Sequence, residues 1–358
     1  MKQLKELTLE AAGPAAKYDF FIQWHLTEGC NLRCRHCYQT GQSRGADLSM
    51  PEIKEVVSEI SEAMEDWAKN YQMDFSPSFN LTGGEPLLRE DLLQVINETR
   101  ARGFDVFLLT NGTLITAGKA NSLAKAGVKG VQVSLEGPEK IHDSIRGAGS
   151  YAKSMLGVKA LLDAGLIVTL NATLSNINAK NLPEMVSIAM DNGVQRLGFS
   201  RLVPSGRGAG LMPEMLSPGQ VKELYENLLS MQVEGLDIVT GDPVASQMNI
   251  KNSPDTSCTA SGGCAAGISG FTILADGTVT PCRRLPLPLG NVRTDSIRQI
   301  WACSPVLEAL RDKKRYLGKC GSCSRWAICR GCRAIAHYSA GGPEGYLSED
   351  PQCFIPRA

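Results

Sequence analysis

A chain of 358 residues with 43% apolar side chains can bury a large core, which excludes the small scaffolds that disulfides hold together. Lysine plus arginine equals aspartate plus glutamate at 37 each, so no basic surplus exists to recruit nucleic acid or an anionic membrane. The N-terminal stretch has no apolar run of signal-peptide length and no run elsewhere is long enough to span a bilayer, so we expect a cytoplasmic protein. Twelve cysteines in such a chain read as reduced metal ligands rather than disulfides.

Residues 19–27 are rich in aromatic and branched side chains and end in Glu28-Gly29, which predicts a buried strand. Cys30, Cys34 and Cys37 follow in the next loop, spaced C-x3-C-x2-C. Three thiolates at that spacing suit one inorganic cluster with an iron left open for chemistry, and a zinc site completed from elsewhere also fits. Pro51 opens a helical pattern with apolar Ile53, Val56, Val57, Ile60 and Met64. A strand at 79–82 runs into Gly83-Gly84-Glu85-Pro86 and a helix over 89–102. The beat repeats with strands at 105–110, 130–134, 166–174 and 196–201, and helices near 116–126, 150–164 and 181–192. Such alternation predicts parallel strands with right-handed crossovers, an open or closed α/β barrel whose ligands sit beyond the carboxyl ends of the strands. The cysteine triad, the Gly-Gly turn, Asn111-Gly112 and Ser134 all follow strands and therefore share that rim.

A helix over 217–232 and an ill-defined connection near 240–257 lead into a cysteine-rich style of sequence. There Phe271 to Leu274 and Thr278 to Thr280, joined through Asp276-Gly277, read as a hairpin. The expected division is a core over 1–240 and a smaller domain over 241–358.

The triad after a first strand, with Gly-Gly-Glu-Pro after a second, resembles the radical S-adenosylmethionine (SAM) superfamily. The resemblance implies a partial (β/α)6 barrel of α/β class. It also implies that Cys30, Cys34 and Cys37 hold a [4Fe–4S] cluster whose open iron binds the amino and carboxylate groups of SAM, with electron transfer giving a 5′-deoxyadenosyl radical. Gly83, Gly84 and Glu85 match the segment that receives the methionine amino group: glycines allow close backbone approach, and a carboxylate can hold an ammonium. Ser134 matches a polar residue near the ribose or carboxylate. Arg146, in His142-Asp143-Ser144-Ile145-Arg146-Gly147, is the candidate for the SAM carboxylate, while His142 and Asp143 are expected to cap or orient their loop. Asn111 and Asn171 are strand-end polar groups placed to touch cofactor, with Arg201 a weaker candidate. His36, where the family is usually aromatic, is expected to pack or to present backbone to the adenine.

Cys264, Gly277 and Cys282, then Cys320, Cys323, Cys329, Cys332 and Cys353, resemble the SPASM extension of peptide- and protein-modifying members. One gap departs from the pattern, two residues before Cys332 in place of three. By analogy with two-cluster members, Cys258, Cys264, Cys282 and Cys332 would hold one auxiliary [4Fe–4S] cluster, and Cys320, Cys323, Cys329 and Cys353 a second. That makes three [4Fe–4S] clusters in all, one of them binding SAM. Zinc knuckles are the plainer reading of the C-x2-C pairs, and Cys303 is left over for core packing.

Anaerobic sulfatase-maturing relatives carry an aspartate, used as a base, directly after the cysteine matching Cys282. Here Arg283 and Arg284 stand instead, which makes that activity a runner-up. The main expectation is a maturase that abstracts hydrogen from a residue of a ribosomally made peptide or protein, forming a crosslink or an oxidised residue. Its electron donor would be a flavodoxin or ferredoxin. So little sequence precedes the first strand that leader recognition would fall to a separate leader-binding protein or another surface. The alternatives are modification of a tetrapyrrole side chain or other small molecule, and a non-catalytic iron–sulfur carrier or zinc-stabilised binding module.

Overall fold

The computed structural model describes residues 18–39, 46–231, 233–248 and 263–356. Strand β1 (Tyr18–His25) buries Phe20, Ile22 and Trp24 and delivers the chain into the triad loop. Helix α1 (Met50–Tyr71) is started by Ser49, whose backbone N–H donates to Glu52 Oε2 at 2.7 Å, and by Pro51 in its first turn. Its apolar stripe is the expected one, with Ile53, Val56, Val57, Ile60 and Met64 all buried.

The alternation continues through β2 (Phe75–Thr82), α2 (Leu92–Ala101), β3 (Asp105–Thr110), α3 (Ala117–Lys125) and β4 (Gly130–Ser134). Two helices, α4 (Glu139–Arg146) and α5 (Ser150–Asp163), then precede β5 (Val168–Leu174), α6 (Leu182–Asp191) and β6 (Arg196–Arg201). A 3₁₀ segment over Gly206–Glu214 leads to α7 (Pro218–Ser230) and a short strand β7 (Asp237–Thr240). Beyond it lie β8 (Gly270–Ile273), β9 (Thr278–Thr280), β10 (Gly290–Asn291) and short helices α8 (Ile297–Cys303), α9 (Pro305–Arg311), α10 (Gly318–Ser322) and α11 (Arg333–Ala340).

Among the described residues one sheet holds every strand, in the order β10-β9-β8-β1-β2-β3-β4-β5-β6-β7. From β8 through β7 all neighbours are parallel, so the strands end on one rim, as the alternation predicts. Two strands exceed expectation. β2 begins at Phe75, where Pro77 is tolerated because pairing to β3 starts only at Ser78. β7, pairing Arg196 with Asp237, is too short to announce itself.

The cysteine-rich region is grafted onto the same sheet, which continues across the expected division. β8 runs parallel to β1, Phe21 opposite Gly270 through Trp24 opposite Ile273, and β9 returns antiparallel as the Asp-Gly turn requires. Only glycine fits at 270, since a Cβ there would meet Phe21 O at 2.2 Å. Phe20, Trp67 and Phe271 gather with Trp301 of α8, ring centroids 5.2–6.0 Å from one another where they touch. Cys303, expected in the core, is exposed at the end of α8, because Trp301 takes the inward face of that short helix. A second core of Leu307, Leu310, Tyr316, Trp326, Ile335 and Leu347 lies under the C-terminal cysteines.

The two cores meet at Arg201, only 1% exposed. Its Nε and Nη2 donate to Asp242 at 2.6 and 2.9 Å, Nη2 also donates to Asp350 at 2.8 Å, and Nη1 donates to Gln352 at 2.9 Å. Tyr225 Oη donates to Asp242 at 2.8 Å. Arg201 is therefore committed to the seam and does not line the cofactor cavity. Arg201→Met should lower stability by about 3–5 kcal/mol in urea unfolding, because two buried carboxylates lose their cation.

Candidate active site

The strand ends surround a cavity of about 920 Å³, counting the part open to solvent. Cys30, Cys34 and Cys37 after β1, Gly83 and Gly84 after β2, and Asn111 after β3 line it. Ser134 and Asn171, opposite each other in the β4–β5 register, line it as well, with Arg146. Tyr38, Gln132, Thr173, Arg207, Arg283 and Arg284 complete much of the wall.

The Gly-Gly turn works through the neighbouring backbone. A Cβ on Gly84 would lie 2.1 Å from Gly29 O and one on Gly83 2.4 Å from Thr27 O, so the exit of β2 presses against the exit of β1. Gly84 N–H donates to Thr27 O and Glu85 N–H to Gly29 O, both at 2.8 Å, which fixes the triad loop to the turn. Glu85, expected to meet an ammonium, points the other way. It is fully buried and accepts from Thr110 Oγ1 at 2.7 Å, Asn111 N–H at 2.9 Å and Leu87 N–H at 3.2 Å, outside the cavity lining. Burial pushes its carboxyl pKa up, against those hydrogen bonds. Asn111 is likewise occupied with the triad loop, donating to Asn31 Oδ1 at 2.9 Å.

Arg146 gives Nε and Nη2 to Glu136 Oε1 at 2.9 and 2.6 Å, so the fork proposed for a SAM carboxylate is filled by a protein carboxylate. Its remaining amine, Nη1, faces Cys34 Sγ at 3.8 Å. Glu136 also accepts from Thr173 N–H at 2.9 Å and stands 3.4 Å from His36 Nε2. Burial alone would raise the Glu136 pKa, but Arg146 and His36 outweigh it and hold the carboxyl well below its ordinary range. Cys34 shows the converse balance: burial raises its thiol pKa and Arg146 pulls it down. Asp143 does cap, accepting from Gly149 and Tyr151 N–H at 2.6 and 2.8 Å, and His142 Nδ1 accepts Glu136 N–H at 3.3 Å.

Tyr38, directly after the triad, shares a 3.2 Å hydrogen bond with buried His25 Nε2. Burial, helped by Arg283, lowers the His25 pKa to about 3, so the ring is neutral. Arg283 lies over the Tyr38 ring at 5.7 Å, and Arg284 donates to Arg201 O at 3.3 Å. Burial lowers the Arg283 pKa. Glu136 and Arg207 carried no motif of their own. Glu136 was findable only as the acid nearest Ser134, and Arg207 follows β6 with no sequence signal.

Cys320, Cys323, Cys329 and Cys353 line one further cavity of about 610 Å³ with Gln247 and Arg330. Gln247 Nε2 donates to Cys329 Sγ at 2.9 Å, Gly331 N–H donates to the same sulfur at 3.3 Å, and Arg325 N–H to Cys323 Sγ at 3.4 Å. Arg333 Nη2 stands 3.6 Å from Cys320 Sγ. Burial pushes the Cys329 thiol up to about 12, so a thiolate there calls for counter-charge, which a bound iron would supply. Cys264, Cys282 and Cys332 form a second neighbourhood, in which Arg284 feels both Cys282 and Cys332. Cys258 lies outside the described residues. The donor sets fit the groups the resemblance implies: three thiols on the rim beside a Gly-Gly turn, and four around a separate pocket.

A parallel sheet that brings a three-cysteine loop against a Gly-Gly turn on its ligand-binding rim, with further cysteines docked beside it, defines an iron–sulfur enzyme built to bind a small cofactor. The chain belongs to the radical SAM superfamily: residues 24–188 match the model of that superfamily, and residues 264–333 match SPASM, an iron–sulfur cluster-binding domain. Its cofactors are accordingly SAM and iron–sulfur clusters. It is 31% identical to an AdoMet-dependent heme synthase of Methanosarcina barkeri, over 93% of this chain and 95% of that protein. It is 30% identical to the mycofactocin maturase MftC of Mycobacterium ulcerans, over 93% and 87%. The solved structure of Streptococcus suis SuiB bound to S-adenosylmethionine shares the fold, with a TM-score of 0.73 at 16% identity over 95% of this chain and 78% of that one.

The Glu136–Arg146 pair supports one prediction. Glu136→Gln should cost about 3 kcal/mol or more at neutral pH. Since the folded carboxyl titrates below its ordinary 4.5, the stabilisation is complete above that value and drains away as pH falls through the folded pKa. The gap between wild type and variant in urea unfolding of iron-free protein should therefore close in acid.

Proposed function

We propose that this chain is a SAM-cleaving maturase that abstracts hydrogen from a residue of a ribosomally made peptide or protein. In this reading the core spans 1–240 and the SPASM region 241–358. Cys30, Cys34 and Cys37 hold the SAM-binding cluster, and the remaining assigned cysteines hold two auxiliary ones. The observation that carries the reaction class is the convergence of the triad, the Gly83-Gly84 turn and the Ser134–Asn171 pair on one cavity. When bound and reduced, the triad's cluster supplies the electron that cleaves the SAM sulfonium to a 5′-deoxyadenosyl radical.

The residues around it position and shield. Gly83 and Gly84 expose backbone to the methionine end of SAM, with Glu85 bracing the turn from behind. Ser134 and Asn171 offer polar contacts to the ribose or carboxylate. Arg146, paired with Glu136, keeps its charge and turns Nη1 toward the Cys34 sulfur at 3.8 Å. The roof of Arg283, Arg284 and Tyr38 limits the water that reaches the radical. A peptide substrate is supported by the SPASM match and by the mycofactocin maturase relative. A second reading, modification of a tetrapyrrole side chain, is supported by the heme synthase relative, which aligns over 95% of its length.

Reconstituted, reduced protein should form 5′-deoxyadenosine from SAM and carry about twelve irons, four per cube. Cys34→Ala should abolish cleavage, and retention of cleavage would sink the assignment. Cys353→Ala should lower the iron content by up to about four atoms per chain, read by iron assay and electron paramagnetic resonance. Incubation with candidate peptides and tetrapyrroles, read as mass shifts, separates the two substrate readings.

A further inference from the structure

Apart from the triad sulfurs, the cavity wall carries cationic side chains without carboxylates among the described residues. Among the described residues that line it, arginines stand at 146, 207, 283 and 284, and no aspartate or glutamate lines it. Arg146 is answered by Glu136 at 2.6 Å, and Arg284 lies in the field of Asp242 and the Cys282 and Cys332 sulfurs. Arg207 gives its Nε to Cys34 O at 3.1 Å, which places it at the triad end. Arg283 also lies in the field of the Cys282 sulfur, but it forms no ion pair with a carboxylate among the described residues. It is half-buried, and its guanidinium lies over the Tyr38 ring, 5.7 Å from the centroid.

A guanidinium held partly away from water, with an aromatic face on one side and a cavity on the other, is a ready fork for a carboxylate. SAM carries a sulfonium and an ammonium against a single carboxylate, so it brings no surplus of negative charge. That one carboxylate is more simply answered near the triad, where Arg207 and the Ser134–Asn171 pair stand. The roof cation is left for whatever enters beneath it.

We infer that Arg283 is a substrate-binding residue that takes a carboxylate of the molecule being modified and so orients its reacting carbon toward the triad end of the cavity. The inference rests on the reading above, that substrate enters this cavity, and it adds the chemical class: a carboxylate-bearing substrate. A peptide carboxylate and a tetrapyrrole propionate share this chemistry.

The test uses SAM-loaded, iron-reconstituted protein under anaerobic conditions. Binding is measured for mesoporphyrin IX and its dimethyl ester, and for a short peptide with a free C-terminal carboxylate and its amide. At least one free acid should bind about tenfold or more tightly than its neutral counterpart. Which acid shows the preference identifies the source of the carboxylate. Arg283→Gln should erase the preference and Arg283→Lys should keep part of it. The inference is overturned if neither acid is preferred, or if Arg283→Gln retains the preference. It is also overturned if Arg283→Gln weakens SAM binding by the same factor, which would give the guanidinium to the cofactor. The preference is read first in the unaltered protein, so a variant that fails to fold does not remove the test. Substrate-free SAM cleavage by wild type tests the SAM-cleaving reading of the cavity separately, so failure of that reading is distinguishable from failure of the Arg283 inference.

Discussion

One guanidinium holds the two parts of this protein in register. Arg201, at the end of β6, lies between Asp242 and Asp350, and Asp350 Oδ2 accepts the backbone N–H of Cys332 at 2.8 Å. The same arginine offers its carbonyl to Arg284. An assigned cluster ligand and the cavity roof are therefore both referred to the last strand of the core. A buried ion pair of this kind adds little net stability over an apolar contact, because desolvation offsets much of the attraction. Its effect is directional: a docking even slightly out of register leaves charges buried without partners, so alternative arrangements of the C-terminal region are penalised.

The opposite side of the sheet is fixed by backbone contact. β8 can lie along β1 only because Gly270 allows the approach, and the exits of β1 and β2 can touch only because residues 83 and 84 have no side chain. Charge sets the register at β6, and the lack of a Cβ sets it at β1 and β2. These two fixings hold opposite sides of the rim that carries the cavity.

The alternation of strand and helix was legible because parallel strands buried on both faces show as apolar runs between amphipathic helices, and β1 to β6 fall where the pattern places them. The triad and the Gly-Gly turn were legible because their chemistry is local in sequence. Partnerships across long separations were not. Nothing in a linear reading joins Glu136 to Arg146, His36 and Thr173, so Arg146 was read as free to bind a ligand. The surroundings of Glu85 are hidden for a related reason. A carboxylate next to glycines suggests an exposed ligand, yet Thr110 and the Asn111 N–H draw it inward. Cys303 failed the rule that lone cysteines pack inward because its helix is too short to bury two faces.

The wall of the cavity also constrains the chemistry that can follow hydrogen abstraction. A base that removes a substrate proton must stand on that wall, be unprotonated at neutral pH and have a lone pair to spare. His36 turns Nε2 to Glu136 at 3.4 Å and leaves Nδ1 without a hydrogen-bond partner among the described residues, whereas Tyr38 keeps its phenol because burial raises its pKa. At the position where the resemblance leads one to expect an aspartate for sulfatase-type maturation, Arg283 presents only donors. Position 283 lines the cavity, so the residue there meets whatever enters, and an arginine cannot accept a proton.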